Sequence, residues 1–129
     1  MKIAIIGTGN LGLSIAKGLI INNTITTLYL TKRDVSSLSD WKSHENVYLT
    51  HNNSEAVRKS DIIIFAVQPG QFEDILKSTK AELTEKHVLI SVITGFKIER
   101  IESIIGSQFP IIRSMPNTAI SVRKSMTCI

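Results

Sequence analysis

The sequence predicts an α/β fold, a doubly wound and mostly parallel β-sheet with helices on both faces. Three observations point to it. Short apolar runs alternate with amphipathic stretches along the chain, the pattern of repeated βαβ units. The run Ile62–Val67 is apolar without alternation, as suits a strand buried on both faces, and Val88–Ile93 reads as another buried strand. The first apolar run opens into a glycine-rich turn and then at once into a helix.

Taken in order, Lys2–Ile6 is a compact strand. Asn10–Ile21 is a helix that places Leu11, Ile15 and Leu19 on one face. Thr27–Thr31, rich in β-branched and aromatic residues, is a second strand, and Asp34–Trp41 a short helix. Val47–Thr50 is a strand and Asn53–Lys59 a short helix that Asn53 or Ser54 would cap. After the buried strand Ile62–Val67, Gln71–Ala81 is helical, with Phe72, Ile75 and Leu76 at helical spacing. Val88–Ile93 is another buried strand, and Ile98–Ile105 a helix ended by Gly106. Pro110–Arg113 is a sixth strand, and Val122–Ile129 is assigned as a last, edge strand. No linker-like composition shift divides the chain, so residues 1–129 are read as one domain.

Composition narrows the function. The chain has 129 residues, 43% hydrophobic and 20% charged, which excludes a disordered tail or a low-complexity linker. A single cysteine, Cys128, excludes a disulfide framework and a multi-cysteine zinc site, and reads as structural. No His/Cys/Asp spacing fits a metal. No apolar run approaches the roughly 20 residues of a membrane helix, and glycines interrupt the N-terminal run too soon for a signal peptide. The expectation is a cytoplasmic protein with no membrane partner. The net charge of +4 comes from scattered basic residues mixed with acids, and only 5% of residues are aromatic, so no nucleic-acid partner is expected. A basic pocket for a phosphorylated small molecule fits this balance as well as a solvated mixed surface does.

The turn after the first strand is Gly7-Thr8-Gly9-Asn10-Leu11-Gly12, a G-x-G-x-x-G pattern. Each glycine has a reason. Gly7 allows the tight turn, Gly9 lets backbone approach a pyrophosphate, and Gly12 lets the helix pack close to the strand. The helix start then offers free N–H groups and a partial positive charge to phosphates. The pattern therefore predicts a Rossmann-type dinucleotide site. At the end of the second strand, where an NAD site usually has an acid, stand Thr31, Lys32 and Arg33. A hydroxyl and two cations suit a ribose 2′-phosphate, so NADP(H) is favoured over NAD(H). Lys32 and Arg33 also read as exposed loop charges, and Asp34 as the cap of the next helix.

Ligands of such sheets lie outside the carboxyl ends of the strands. Here these ends are Ala66-Val67-Gln68-Pro69, Ser91-Val92-Ile93-Thr94-Gly95 and Ser114-Met115-Pro116-Asn117-Thr118, and all three are expected to line one crevice. Pro69 also reads as a helix start, and Asn117 as a turn residue. His44, His51 and His87 do not fall at the proposed strand ends and read as surface residues. Glu99, Arg100 and Glu102 read as one solvated helix face.

Four segments together resemble the N-terminal half of the pyrroline-5-carboxylate reductase family. They are Ile6–Gly12, Ala66–Pro69, the Ser91–Gly95 turn and Arg113-Ser114-Met115-Pro116-Asn117-Thr118, the last being the most specific. The family reduces the C=N bond of 1-pyrroline-5-carboxylate to yield proline, using NAD(P)H. The resemblance implies that Gly7, Thr8, Gly9, Asn10, Leu11 and Gly12 hold the pyrophosphate, and Thr31, Lys32 and Arg33 the 2′-phosphate. It implies that Asn53 approaches the adenosine, although helix capping explains Asn53 equally well. It places Ala66, Val67, Gln68, Pro69, Ile93 and Thr94 at the ribose and nicotinamide, and Asn117 near the reacting ring. Such a site needs no Ser/His/Asp array, because the cofactor carries the hydride chemistry.

The chain departs from the family after Asn117-Thr118. Ala119 stands where the family has proline, and Arg123 and Ser125 where glycines are common. The family's C-terminal helical domain, which makes its homo-oligomer and completes the substrate site, lies outside the 129 residues. The isolated chain is therefore expected to bind cofactor without turnover. A second class of function stays open, a non-catalytic NADP-binding module with a sensing or partner-binding role.

Overall fold

A computed structural model describes residues 1–22, 25–117, 119, 121 and 127–129. Six strands form one all-parallel sheet: β1 Lys2–Ile6, β2 Thr27–Thr31, β3 Val47–Thr50, β4 Ile62–Phe65, β5 Val88–Ser91 and β6 Ile111–Arg113. Their spatial order is β3-β2-β1-β4-β5-β6. The chain thus builds outward from β1 to β3, then crosses back to lay β4 on the other side of β1. Strand order reverses between β1 and β4, and there the connections diverge to leave a crevice.

The helices are α1 Asn10–Ile21, α2 Asn53–Arg58, α3 Pro69–Thr79 and α4 Ile98–Ile105. The sheet's two faces carry separate cores because successive side chains of a strand point to opposite sides. Ala4, Ile6, Ile63, Phe65 and Leu89 pack under α2, α3 and α4, against Val57, Phe72, Leu76 and Ile101. Ile3, Ile5, Leu28, Leu30 and Ile64 pack on the other side, against Ile15 and Ala16 of α1 and Leu38 and Trp41. Two-sided burial is why β1 and β4 read as unbroken apolar runs. Phe72 packs at a tilt against Phe65, ring centroids 5.2 Å apart, and meets Phe96 edge-on at 4.7 Å, which fixes the start of α3 over β4.

Several boundaries differ from expectation. The segment expected as a helix over Asp34–Trp41 is a 3-10 helix, Val35–Ser43, bent at Leu38, with Asp34 as its cap. Its serines bond locally, Ser36 to Asp34 Oδ1 and Ser37 to Asp34 O, which favours tight turns over an α-helix. The cap of α2 is Asn52, not Asn53 or Ser54. Helix α3 begins two residues earlier than expected, with Pro69 in its first turn. It gives way at Lys80–Glu82 to a 3-10 turn. Strands β4 and β5 end at Phe65 and Ser91, before Val67 and Ile93; the apolar runs extend past the paired strands, with Val67 partly buried and Ile93 buried. Gly106 ends α4 at φ +101°, as expected. Of the expected edge strand Val122–Ile129, residues 122–126 lie outside the described residues. Cys128 is exposed, and its backbone bridges antiparallel to Met115. His87 is buried, not at the surface, and its Nδ1 accepts from the Thr84 N–H at 2.9 Å.

Candidate functional site

The site begins where β1 ends. Gly7 has φ +93°, and a Cβ there would lie 2.5 Å from Val67 Cγ1 and 2.9 Å from the Ala66 carbonyl oxygen. Only glycine fits that turn without displacing the end of β4. A Cβ on Gly12 would run into the Gly7 carbonyl, so Gly12 lets α1 start against the turn. Gly9 is the opposite case, since nothing lies within 4 Å of a Cβ placed there. Thr31 holds the turn in place. The Gly7 N–H donates to Thr31 Oγ1 at 3.2 Å, and Thr8 Oγ1 donates to the Thr31 carbonyl at 3.0 Å.

Helix α1 starts at this turn without compensation. No side chain caps it, and no acid stands in its first turn. Its first N–H groups and the positive end of its dipole are left for an outside anion.

A cavity of about 520 Å³ lies over the ends of β1 to β4, a size suited to a small-molecule ligand. From the end of β1 it takes Gly7, Thr8 and Gly9, and from the end of β2 it takes Thr31, Lys32, Arg33 and Asp34. The turn after β3 contributes His51 and Asn53, and the end of β4 contributes Ala66, Val67 and Gln68. The first turns of α3 add Gly70, Gln71, Asp74 and Ile75.

The structure thus gathers ten of the expected residues around one cavity: Gly7, Thr8, Gly9, Thr31, Lys32, Arg33, Asn53, Ala66, Val67 and Gln68. Asn10, Leu11 and Gly12 form the first turn of α1 beside the cavity. Pro69 is exposed in the first turn of α3, while the next residues, Gly70 and Gln71, line the cavity. The residues expected from the ends of β5 and β6 are not among those lining this cavity. Ile93 is 2% exposed and packs in the core. Thr94 and Asn117 are exposed and lie outside the cavity's lining. In the sheet β5 and β6 follow β4 outward from β1.

Sequence reasoning missed His51, Gly70, Gln71, Asp74 and Ile75. His51 directly follows β3, so it does sit at a strand end, contrary to expectation. The short strand preceding it was the available signal. Gln71, Asp74 and Ile75 share one helical face, a spacing visible in the sequence.

The electrostatics divide the lining. Lys32 and Arg33 make no ion pair among the described residues. Asp34 is held below the usual carboxylate range, first by the Ser36 hydroxyl, then by the Ser36 N–H and the nearby Lys32. Its carboxylate thus serves the 3-10 helix as a cap. Glu55 is likewise held low, first by the bond from Lys59 and next by that from Thr50. The cations at the end of β2 are therefore left facing the cavity beside an uncapped helix start.

Fold and site together define a Rossmann-type α/β domain with a phosphate-type glycine turn at its switch point. The chain belongs to the family described as NADP oxidoreductase, coenzyme F420-dependent, whose model matches residues 2–95. Within that family its resemblance to the N-terminal part of pyrroline-5-carboxylate reductases holds over nearly the whole chain. It is 43% identical to pyrroline-5-carboxylate reductase 1 of Dictyostelium discoideum, over 98% of this chain and 23% of that protein. The structure of a pyrroline-5-carboxylate reductase from Coxiella burnetii matches with a TM-score of 0.87 and 32% identity, over 97% of this chain and 47% of that one. Plasmodium falciparum pyrroline carboxylate reductase, solved with NADP bound, matches with a TM-score of 0.83 and 28% identity, over 97% and 45%. The chain therefore spans from about a quarter to about half of the length of these relatives.

Proposed function

We propose that this chain is the NADP(H)-binding part of an imine reductase that converts 1-pyrroline-5-carboxylate to proline. The observation that carries the reading is the cavity itself. It joins an uncapped helix start and an open Gly9 to a pair of cations at the end of β2 that make no ion pair among the described residues.

The residues fit such a cofactor. Space over Gly9 admits a pyrophosphate close to the backbone, and the uncapped first N–H groups of α1, at Asn10, Leu11 and Gly12, would serve as its donors. Thr31 has its hydroxyl oxygen engaged by Gly7, so it shapes the turn while Lys32 and Arg33 supply the charge for a 2′-phosphate. Asn53 is relieved of capping by Asn52 and is left to approach the adenosine. Ala66, Val67 and Gln68 would border the ribose. NADPH, when bound, supplies the hydride for the C=N carbon. The protein's part is to hold and orient the dinucleotide over the strand ends. Residues 1–129 then act as one dinucleotide-binding unit of a cytoplasmic homo-oligomer whose substrate is 1-pyrroline-5-carboxylate, with no nucleic-acid partner.

Calorimetric titration with NADPH and separately with NADH tests the reading. NADPH is expected to bind more tightly. Replacing Lys32 and Arg33 together by alanine is expected to weaken NADPH by about 10- to 100-fold and NADH by less than about twofold. Equal losses for both nucleotides would refute the 2′-phosphate assignment. Failure of the folded chain to bind either one would refute the cofactor reading.

A further inference from the structure

The turn after β3 uses its residues alternately. Thr50 Oγ1 donates to Glu55 Oε2 at 3.1 Å and accepts from the Asn52 N–H at 3.0 Å. Asn52 Oδ1 accepts from the Glu55 N–H at 3.1 Å. Thr50 and Asn52 are thus engaged within the turn, while His51 and Asn53 line the cavity. These bonds fix the backbone from which His51 projects.

Register places that histidine beside the cations. Thr31 of β2 pairs with Thr50 of β3, and the Lys32 N–H donates to the Thr50 carbonyl at 3.2 Å. Lys32 and His51 are therefore the residues that directly follow two paired strands, whose backbones run about 4.8 Å apart at their ends. An imidazole is the side chain whose charge can change within the physiological pH range.

We propose that His51 is a specificity-determining residue of this site: protonated, it joins Lys32 and Arg33 in binding a phosphate on the adenosine ribose. Discrimination for the 2′-phosphorylated nucleotide then sharpens as pH falls. The proposal rests on the NADP(H) reading above. The acids that line the cavity with His51 are Asp34 and Asp74, and Glu55 is bonded to Thr50, the residue before His51. Asp34 is bonded to Ser36, and Glu55 to Lys59 and Thr50. Asp74 faces the same cavity from α3 and makes no ion pair among the described residues. A bound phosphate favours the imidazolium, so by linkage a proton on His51 favours the phosphate.

The test uses adenosine 2′,5′-bisphosphate and adenosine 5′-monophosphate as probes, which need only the adenosine end of the site. Affinities are measured at about pH 6 and about pH 8 for the chain, for His51→Gln and for His51→Lys. The phosphate's own titration is common to all three proteins and cancels in the comparison. His51→Gln is expected to weaken the bisphosphate about tenfold at the lower pH and by less than about twofold at the higher one. The monophosphate stays unchanged, and His51→Lys binds the bisphosphate tightly at both pH values. If His51→Gln changes nothing, or weakens both probes alike, the proposal falls and the cofactor reading stands. If the unaltered chain binds neither probe, both fall.

Discussion

Gly7, Gly9 and Gly12 belong to one pattern but meet different constraints. Gly7 sits at φ +93° with Val67 and Ala66 against it, and Gly12 sits against the Gly7 carbonyl. An alanine at either place forces backbone to move, and a positive φ alone costs a residue other than glycine about 1–3 kcal/mol. Gly9 has open space where a Cβ would stand. Gly7→Ala and Gly12→Ala are therefore expected to lower the melting temperature. Gly9→Ala is expected to melt as the parent does and to lose NADPH. Thermal denaturation and titration of the three variants check this. A Gly9 variant that binds as well as the parent would show that nothing needs the space over that residue.

At the scale of the element, legibility follows locality. The strand–turn–helix Lys2–Ile21 was readable because turn, helix start and packing all reside in adjacent residues. The ends of β4 and β5 were not, because Val67 and Ile93 keep an apolar pattern beyond the last ladder bond. His51 was hidden for a related reason. Its place in the site depends on β3 pairing with β2, a contact that the residues around it do not encode. The cap of α2 was ambiguous because Asn52, Asn53 and Ser54 are all good caps, and the Thr50–Glu55 bond helps select Asn52. The two asparagines should therefore separate cleanly. Asn52→Ala is expected to cost about 1 kcal/mol of stability and to loosen the turn that presents His51. Asn53→Ala is expected to leave stability unchanged and to weaken NADPH. Denaturant titration of both variants measures the first effect and calorimetry the second. An equal stability loss from both would return Asn53 to a capping role.

At the scale of the molecule, the cavity joins the two halves of the sheet. Its lining comes from β1 to β3 on one side of the switch point and from β4 and α3 on the other. A ligand that fills it contacts only the folded arrangement, since the unfolded chain brings no two of these segments together. Ligation must then raise the free energy of unfolding by RT ln(1 + [L]/Kd), about 2.7 kcal/mol at a hundredfold excess over Kd. For a domain of this length each kcal/mol moves the melting temperature by roughly 3–5 °C. NADPH at that excess is expected to raise the melting temperature by about 8–13 °C. NADH at the same concentration is expected to raise it less, by the logarithm of its weaker affinity. The Lys32 and Arg33 double variant should bring the two nucleotides to nearly the same shift without altering the melting temperature of the free chain, because neither side chain makes an ion pair among the described residues. A shift that scales with the titrated Kd values ties binding to the assembled sheet. A shift identical for both nucleotides in the unaltered chain would show that the end of β2 does not sense the 2′-phosphate.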